Sequence, residues 1–183
     1  RLLFSNNIYR TLAHMISVAL IMFVMPAILI AAAGWDIASF TIPNFIQGAL
    51  LGAFAVFILT SGMTPHQAGL HIAAGVAGLG VGLELFSAGY VGGGDAKLFA
   101  CVSLWFGLHD ILGYALVASL FGGALTLGLI GMRKLPMPEF LTSQGWLMRL
   151  HDDHEGIPYG VALAAGAFFL LPQSEIFRIA LGG

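Results

Sequence analysis

Long apolar runs dominate the chain, and they predict helices that cross a membrane. A spanning helix needs about 20 mostly apolar residues, and the chain has about six candidate runs, of which the fourth is short. Their approximate limits are Leu12–Gly34, Phe45–Ser61, Gln67–Tyr90, Ala96–Leu108, Ile111–Met132 and Ile157–Leu171. The pattern therefore predicts an all-α, polytopic membrane protein with about six transmembrane helices, forming a single domain over residues 1–183.

The composition supports a lipid environment. Hydrophobic residues make up 58% of the chain and charged residues only 9%, whereas a soluble domain carries about 25% charged residues. The few Lys and Arg are scattered and the net charge is −2, so no nucleic-acid partner is expected. The chain has one cysteine, Cys101, which excludes a disulfide framework or a cysteine-rich zinc module within it.

Two acidic residues stand in the predicted connections between the apolar runs. Asp36 follows the first run and Asp95 precedes the fourth, and because two runs separate them, both lie on the same side of the membrane. By the same parity, a long connection at about residues 133–156 shares that side. It contains Arg133 and Lys134, and basic residues favour the cytoplasm. We therefore expect this face to be cytoplasmic.

The fourth run is too short to span the membrane alone. Residues 98–108 would make only about 16 Å of helix, against a hydrocarbon core about 30 Å thick, so Asp95 and the glycines before it are drawn towards the bilayer. Gly92, Gly93 and Gly94 would let a substrate backbone approach Asp95 closely. From the residues alone, Asp36 and Asp95 are either two interfacial helix caps or a pair of carboxyls that share one proton and hydrolyse a peptide.

Three segments together resemble one enzyme family. Asp36 followed by Ile42-Pro43-Asn44 resembles the first motif of the type IV prepilin peptidases. The segment "GGGDAKL", residues 92–98, resembles their second, the GxGD motif shared with presenilin-type intramembrane aspartyl proteases. A third segment, "IPYG" at residues 157–160, is similar to another family element. The resemblance extends over nearly the whole chain.

The resemblance implies a function and a site. Asp36 and Asp95 would be catalytic, and the enzyme would remove the short basic leader of prepilins or pseudopilins at the cytoplasmic face of the bacterial inner membrane. The partners would be the substrate helix and the lipid bilayer, with no metal or other cofactor. The chain resembles the short tight-adherence (Flp-pilus) type without a methyltransferase module, so we expect cleavage without methylation. The oligomeric state is left open.

Further residues are candidates for substrate binding or for support of the site. They are Gly92, Gly94, Lys97, Pro43, Asn44, Pro158, Tyr159 and Glu84. Lys97 either interacts with Asp95 or extends to the membrane surface. Pro43 would set the start of the second helix and Asn44 would cap it. Glu84 either faces the catalytic cavity, attracts the basic leader, or reaches the interface. Residues 37–41 lack the basic side chains that many relatives carry there.

One polar cluster and two other functions stay open. The segment His151–Glu155, "HDDHE", has the composition of a metal site, of a solvated loop, or of an acidic surface for a basic leader; no metal is predicted. Acids beside a broken glycine-rich helix also occur in ion- or proton-coupled transporters. A non-enzymatic scaffold for pilus assembly is the third possibility.

Overall fold

The structure is a computed structural model and describes residues 2–136, 145–152 and 155–182, with side chains from residue 8 onward. These residues form helices and the connections between them, with no strand among them. The helices are α1 (Leu2–Ala19), a π-helical turn (Leu20–Val24), α2 (Met25–Ser39), α3 (Asn44–Thr60), α4 (Pro65–Ser87), α5 (Gly93–Arg133), α6 (Gly145–His151), α7 (Tyr159–Leu170), a 3₁₀ turn (Leu171–Gln173) and α8 (Glu175–Leu181).

The first membrane helix runs through α1, the π-helical turn and α2. Pro26 has no backbone N–H to donate, and the wider turn precedes it, with Met25 N–H donating to Leu20 O. Helix α2 ends at Ser39 because Phe40 adopts a left-handed conformation with φ 52°. The helix is thus longer than its apolar run, and Asp36 lies in its last turn. The prediction that Asp36 lies in a connection is therefore wrong.

Helix α5 is a hairpin of two arms. Its 41 residues are interrupted at Gly107, where φ is 71° and ψ is 175°; we call residues 93–106 α5a and residues 108–133 α5b. The ring centroids of Phe99 and Tyr114 lie 5.5 Å apart, although these residues would be about 22 Å apart in a continuous helix. The chain therefore reverses at Gly107. The predicted fourth and fifth runs correspond to these two arms.

Close helix contacts hold the neighbouring helices against each arm. A Cβ on Gly82 of α4 would lie 2.8 Å from Ala96 O of α5a, and a Cβ on Gly166 of α7 would lie 2.9 Å from Ala118 Cα of α5b. Glycine is needed here because the backbones are too close for a side chain. The arrangement brings the start of α5a, the end of α5b and the start of α7 to one end of the bundle.

The surface is that of a membrane protein. Large apolar side chains such as Leu59, Leu112 and Leu127 are exposed, whereas Asp36 and Asp95 are buried. Three helices in the described part of the chain are long and apolar enough to cross a membrane, or up to four if the bent pair Tyr159–Gln173 and Glu175–Leu181 is one span. An all-α polytopic membrane protein is confirmed, while the count of six spans stays a prediction.

Candidate active site

Asp36 is held by the start of α7. Its side chain is only 2% exposed, and its Oδ2 accepts a hydrogen bond of 2.7 Å from the backbone N–H of Gly160. The first amides of a helix have no partner within the helix, and Asp36 supplies a partner for one of these amides in α7. The two residues are far apart in sequence and meet only through helix packing.

Asp95 lies in the first turn of α5a and approaches the same amide. Its Oδ2 accepts a 3.2 Å hydrogen bond from Gly92 N–H, and its carboxyl also interacts with the Gly160 amide. Asp95 is 8% exposed. Its Oδ1 has no hydrogen-bond partner among the described residues. Asp95 therefore lies inside the helix. The prediction that it lies in the connection before the helix is wrong.

The two carboxyls converge on Gly160. Asp36 and Asp95 are close enough to interact electrostatically, and the amide of Gly160 donates its hydrogen bond to Asp36 and lies near Asp95. A Cβ on Gly160 would lie 2.8 Å from Asp36 Oδ2, so any other residue there would displace the carboxyl. Sequence reasoning did not select Gly160, although it closes the "IPYG" segment whose Pro158 and Tyr159 were selected.

Ile42 packs between the two glycine-containing segments. A Cβ on Gly94 would lie 3.2 Å from Ile42 Cβ, and a Cβ on Gly160 would lie 2.9 Å from Ile42 Cδ1. Ile42 is buried and follows the left-handed Phe40. The short connection between α2 and α3 therefore passes through the site, and its Ile42 packs against both glycine-containing segments.

Lys97 does not reach towards Asp95. Its Nζ donates a 3.0 Å hydrogen bond to Asn44 Oδ1, linking α5a to the start of α3. The prediction that Asn44 caps α3 is wrong: the helix begins at Asn44, and Pro43 is the N-cap with no side-chain hydrogen bond. The Asn44 side chain is engaged by Lys97 instead.

The connection before α7 is anchored by Arg133. Its guanidinium donates to the backbone oxygens of Leu150, Glu155 and Gly156 at 3.0, 3.2 and 3.0 Å. Pro158, the N-cap of α7, follows soon after. Arg133, at the end of α5b, therefore fixes the position of the connection before α7, and Gly160 follows this connection beside the aspartates.

A cavity of about 540 Å³ adjoins Asp95 and is lined by α4, both arms of α5 and α7. Tyr159 lines it, while Glu84 is exposed and does not. Of the three alternatives for Glu84, a place in the wall of this cavity is therefore not the one that the structure shows.

The polar cluster at His151–Glu155 falls only partly within the structure. Asp153 and His154 lie outside the described residues, so its role stays a prediction. Among the residues that are described, no group of three His, Cys, Asp or Glu side chains could hold a metal ion.

Comparison with known protein families adds an independent finding. The model of the type IV leader peptidase family matches residues 23–127, which is more than half of the chain. The chain belongs to this family. The match begins inside the first membrane helix, ends in α5b, and includes both Asp36 and Asp95. Membership makes the chain a leader-peptidase-like protease of the membrane.

The matched region excludes the start of α7. Gly160, whose amide donates to Asp36, lies beyond residue 127 and therefore outside the family match. Neither the comparison with curated proteins nor that with solved structures found a match.

Proposed function

We propose that this protein is an aspartyl endopeptidase that removes the short basic leader of prepilins or pseudopilins at the cytoplasmic face of the bacterial inner membrane. The observation that carries the proposal is the convergence of two buried carboxyls, Asp36 and Asp95, on the single amide of Gly160. Family membership supports peptide hydrolysis as the reaction, and the two carboxyls are the groups that would transfer the protons.

Asp36 and Asp95 act as one unit in this proposal. One carboxylate removes a proton from a water molecule while the water oxygen attacks the carbonyl carbon of the scissile peptide. The other carboxyl, protonated, donates its proton to the carbonyl oxygen. The tetrahedral intermediate then collapses: one of its hydroxyls returns a proton to the pair as the new carbonyl forms, the C–N bond breaks, and the departing nitrogen takes a proton from the pair. The shared proton belongs to the pair rather than to either residue.

The surrounding residues have supporting roles in the proposal. The amide of Gly160 and the amide of Gly92 orient the two carboxyls, and Ile42 keeps their segments together. The substrate must unwind at the cleavage point, because a helix hides its carbonyls in hydrogen bonds. A glycine before the scissile bond lowers the cost of unwinding.

A leader-cleavage assay tests this function. Protein in liposomes is mixed with a prepilin, alongside Asp36→Asn and Asp95→Asn, which keep the shape of the side chain. We expect each variant to lose on the order of 10³-fold or more in cleavage rate, since residues that act as a unit fail together. Thermal unfolding in detergent serves as the control for folding. Wild-type cleavage rates in either variant would remove that aspartate from the mechanism.

The same liposomes separate the alternative functions. A transporter would lose ion or proton flux in the Asn variants with no effect on any leader. A scaffold would support pilus assembly equally well with either variant.

A further inference from the structure

A second cavity, of about 370 Å³, lies between α3, α4 and the arm α5a. Its floor is formed by α5a from Lys97 to Leu104, and we call it the α3–α4 groove. It shares no lining residue with the cavity beside Asp95. The proposed hydrolysis makes no use of it, so the groove calls for a separate explanation.

The α3–α4 groove is closed towards the middle of the bundle. Beyond that end the two helices meet, with the ring centroids of Phe54 and His71 5.7 Å apart, and His71 Nδ1 lies 2.9 Å from Leu104 O. From Leu104 the floor runs to Lys97, which corresponds to about 10 Å of helix. The groove therefore leads from the interior of the bundle to the end where Asp95 lies.

The polar side chains of the groove are gathered at that outer end. Lys97 and Gln47 lie in the first turns of α5a and α3, whereas the wall further in is aliphatic, with Leu51, Ile72 and Val76. An occupant that matches this lining has one polar end and an apolar body. In a membrane protein, a lipid has that form and that orientation.

The charge at the outer end restricts the headgroup. Lys97 is the one charged residue among the described side chains that line the groove, and it is exposed. Its Nζ donates one hydrogen bond, to Asn44 Oδ1, and an ammonium group has three N–H donors. No acid in the described part of the chain forms an ion pair with it. The positive charge therefore favours an anionic group.

The same charge argues against a second copy of the chain as the occupant. A symmetric dimer uses the same surface on both subunits, so it would bring two Lys97 side chains into one interface. Like charges that face each other across an interface are costly. The phosphate of a lipid would instead neutralise Lys97.

We propose that the α3–α4 groove binds an anionic phospholipid, with its phosphate at Lys97 and an acyl chain laid along α5a towards Leu104. The proposal does not rest on the peptidase activity, because it follows from the shape, the polarity and the charge of the groove. The lipid would fill the space that separates α3 from α4 above the contact of Phe54 with His71.

Lipid titration followed by native mass spectrometry tests the headgroup contact. The full chain in detergent is titrated with phosphatidylglycerol, which is anionic, or with phosphatidylcholine of the same acyl chains. We expect one phosphatidylglycerol to bind more tightly than phosphatidylcholine, and Lys97→Met to lower its affinity about fivefold, to the level of phosphatidylcholine. Lys134→Met is the control, since Lys134 is also exposed but does not line the groove, and it should bind like wild type.

A matched pair of valines tests the place of the acyl chain. The side chains of Val76 and Val56 are 67% and 44% exposed, but only Val76 lines the groove. We expect Val76→Trp to fill the groove and weaken the binding of phosphatidylglycerol about tenfold, because overfilling a packed site is costly. Val56→Trp, on the outer face of α3, should bind like wild type.

Each other outcome overturns the proposal in a recognisable way. Equal affinity of the wild type for the two lipids, or equal losses in Lys97→Met and Lys134→Met, would remove the phosphate from Lys97. Unchanged binding in Val76→Trp would remove the acyl chain from the groove. Displacement of phosphatidylglycerol by the same concentration of inorganic phosphate would indicate an anion site without a lipid chain. A dimer that forms in the wild type and is lost in Val76→Trp would place a second copy there.

Discussion

At one end of the bundle, which we call the aspartate end (Asp36, Asp95 and Gly160), a glycine lets a backbone amide approach a carboxyl. At the other, the turn end (His71, Leu104 and Gly107), a glycine lets the chain reverse between two helices. Both positions exclude a side chain, but for different physical reasons. The same substitution should therefore affect activity at one end and stability at the other.

The turn end uses a histidine to complete its hydrogen bonding. Helix α5a ends at Phe106, and its last carbonyls have no partner within the helix. His71 Nδ1 lies 2.9 Å from Leu104 O, and because a carbonyl only accepts, Nδ1 carries the proton. The ring is buried against Phe54 at 5.7 Å between centroids. This histidine is structural, and it supports the reversal at Gly107.

In the comparison of the two ends, the largest effect is expected from Gly160→Ala at the aspartate end. The added methyl group would lie 2.8 Å from Asp36 Oδ2 and displace the carboxyl. Misplacing a catalytic group by about 1 Å costs about 100-fold in rate, so we expect a loss of that size in the prepilin-cleavage assay. Gly34→Ala is the control, since a Cβ there meets nothing within 4 Å. Full activity in Gly160→Ala would contradict the proposed site.

At the turn end, Gly107→Ala should reduce stability. The backbone at φ 71° and ψ 175° is in a region open almost only to glycine, and strain there costs about 1–3 kcal/mol. A Cβ would also lie 3.0 Å from the His71 ring. Thermal unfolding in detergent should show a lower midpoint. Gly80→Ala, with open space around its Cβ, should unfold like wild type, and an equal shift in both would contradict the explanation.

The smallest effect is expected from Lys97→Met. It removes the exposed hydrogen bond to Asn44 Oδ1, and water can replace the lost donor, so the free energy of unfolding should fall by less than about 1 kcal/mol. Asn44→Leu should have a similar effect, and the double variant should show little additional loss. A loss of cleavage as large as that in Asp95→Asn would show that Lys97 acts on the pair directly.

The helices and the two aspartates could be predicted because each depends on local information. Apolar runs define the helices, and an acid beside such a run is conspicuous because it is costly in lipid. The partner of Lys97 and the importance of Gly160 could not be predicted in this way. Each depends on a contact between segments distant in sequence. A Cβ built at many of the other glycines would have nothing within 4 Å, so the residue type alone does not single out Gly160.

The sequence by itself determined that this protein is helical, that it lies in a membrane, and which family it belongs to, because composition, apolar periodicity and short motifs are properties of the chain. Only the tertiary structure decided that α5 reverses at Gly107, that Asp36 lies within a helix, and that Gly160 donates to Asp36 close to Asp95. These features depend on how closely helices can approach one another, and the local pattern of residues does not specify that distance.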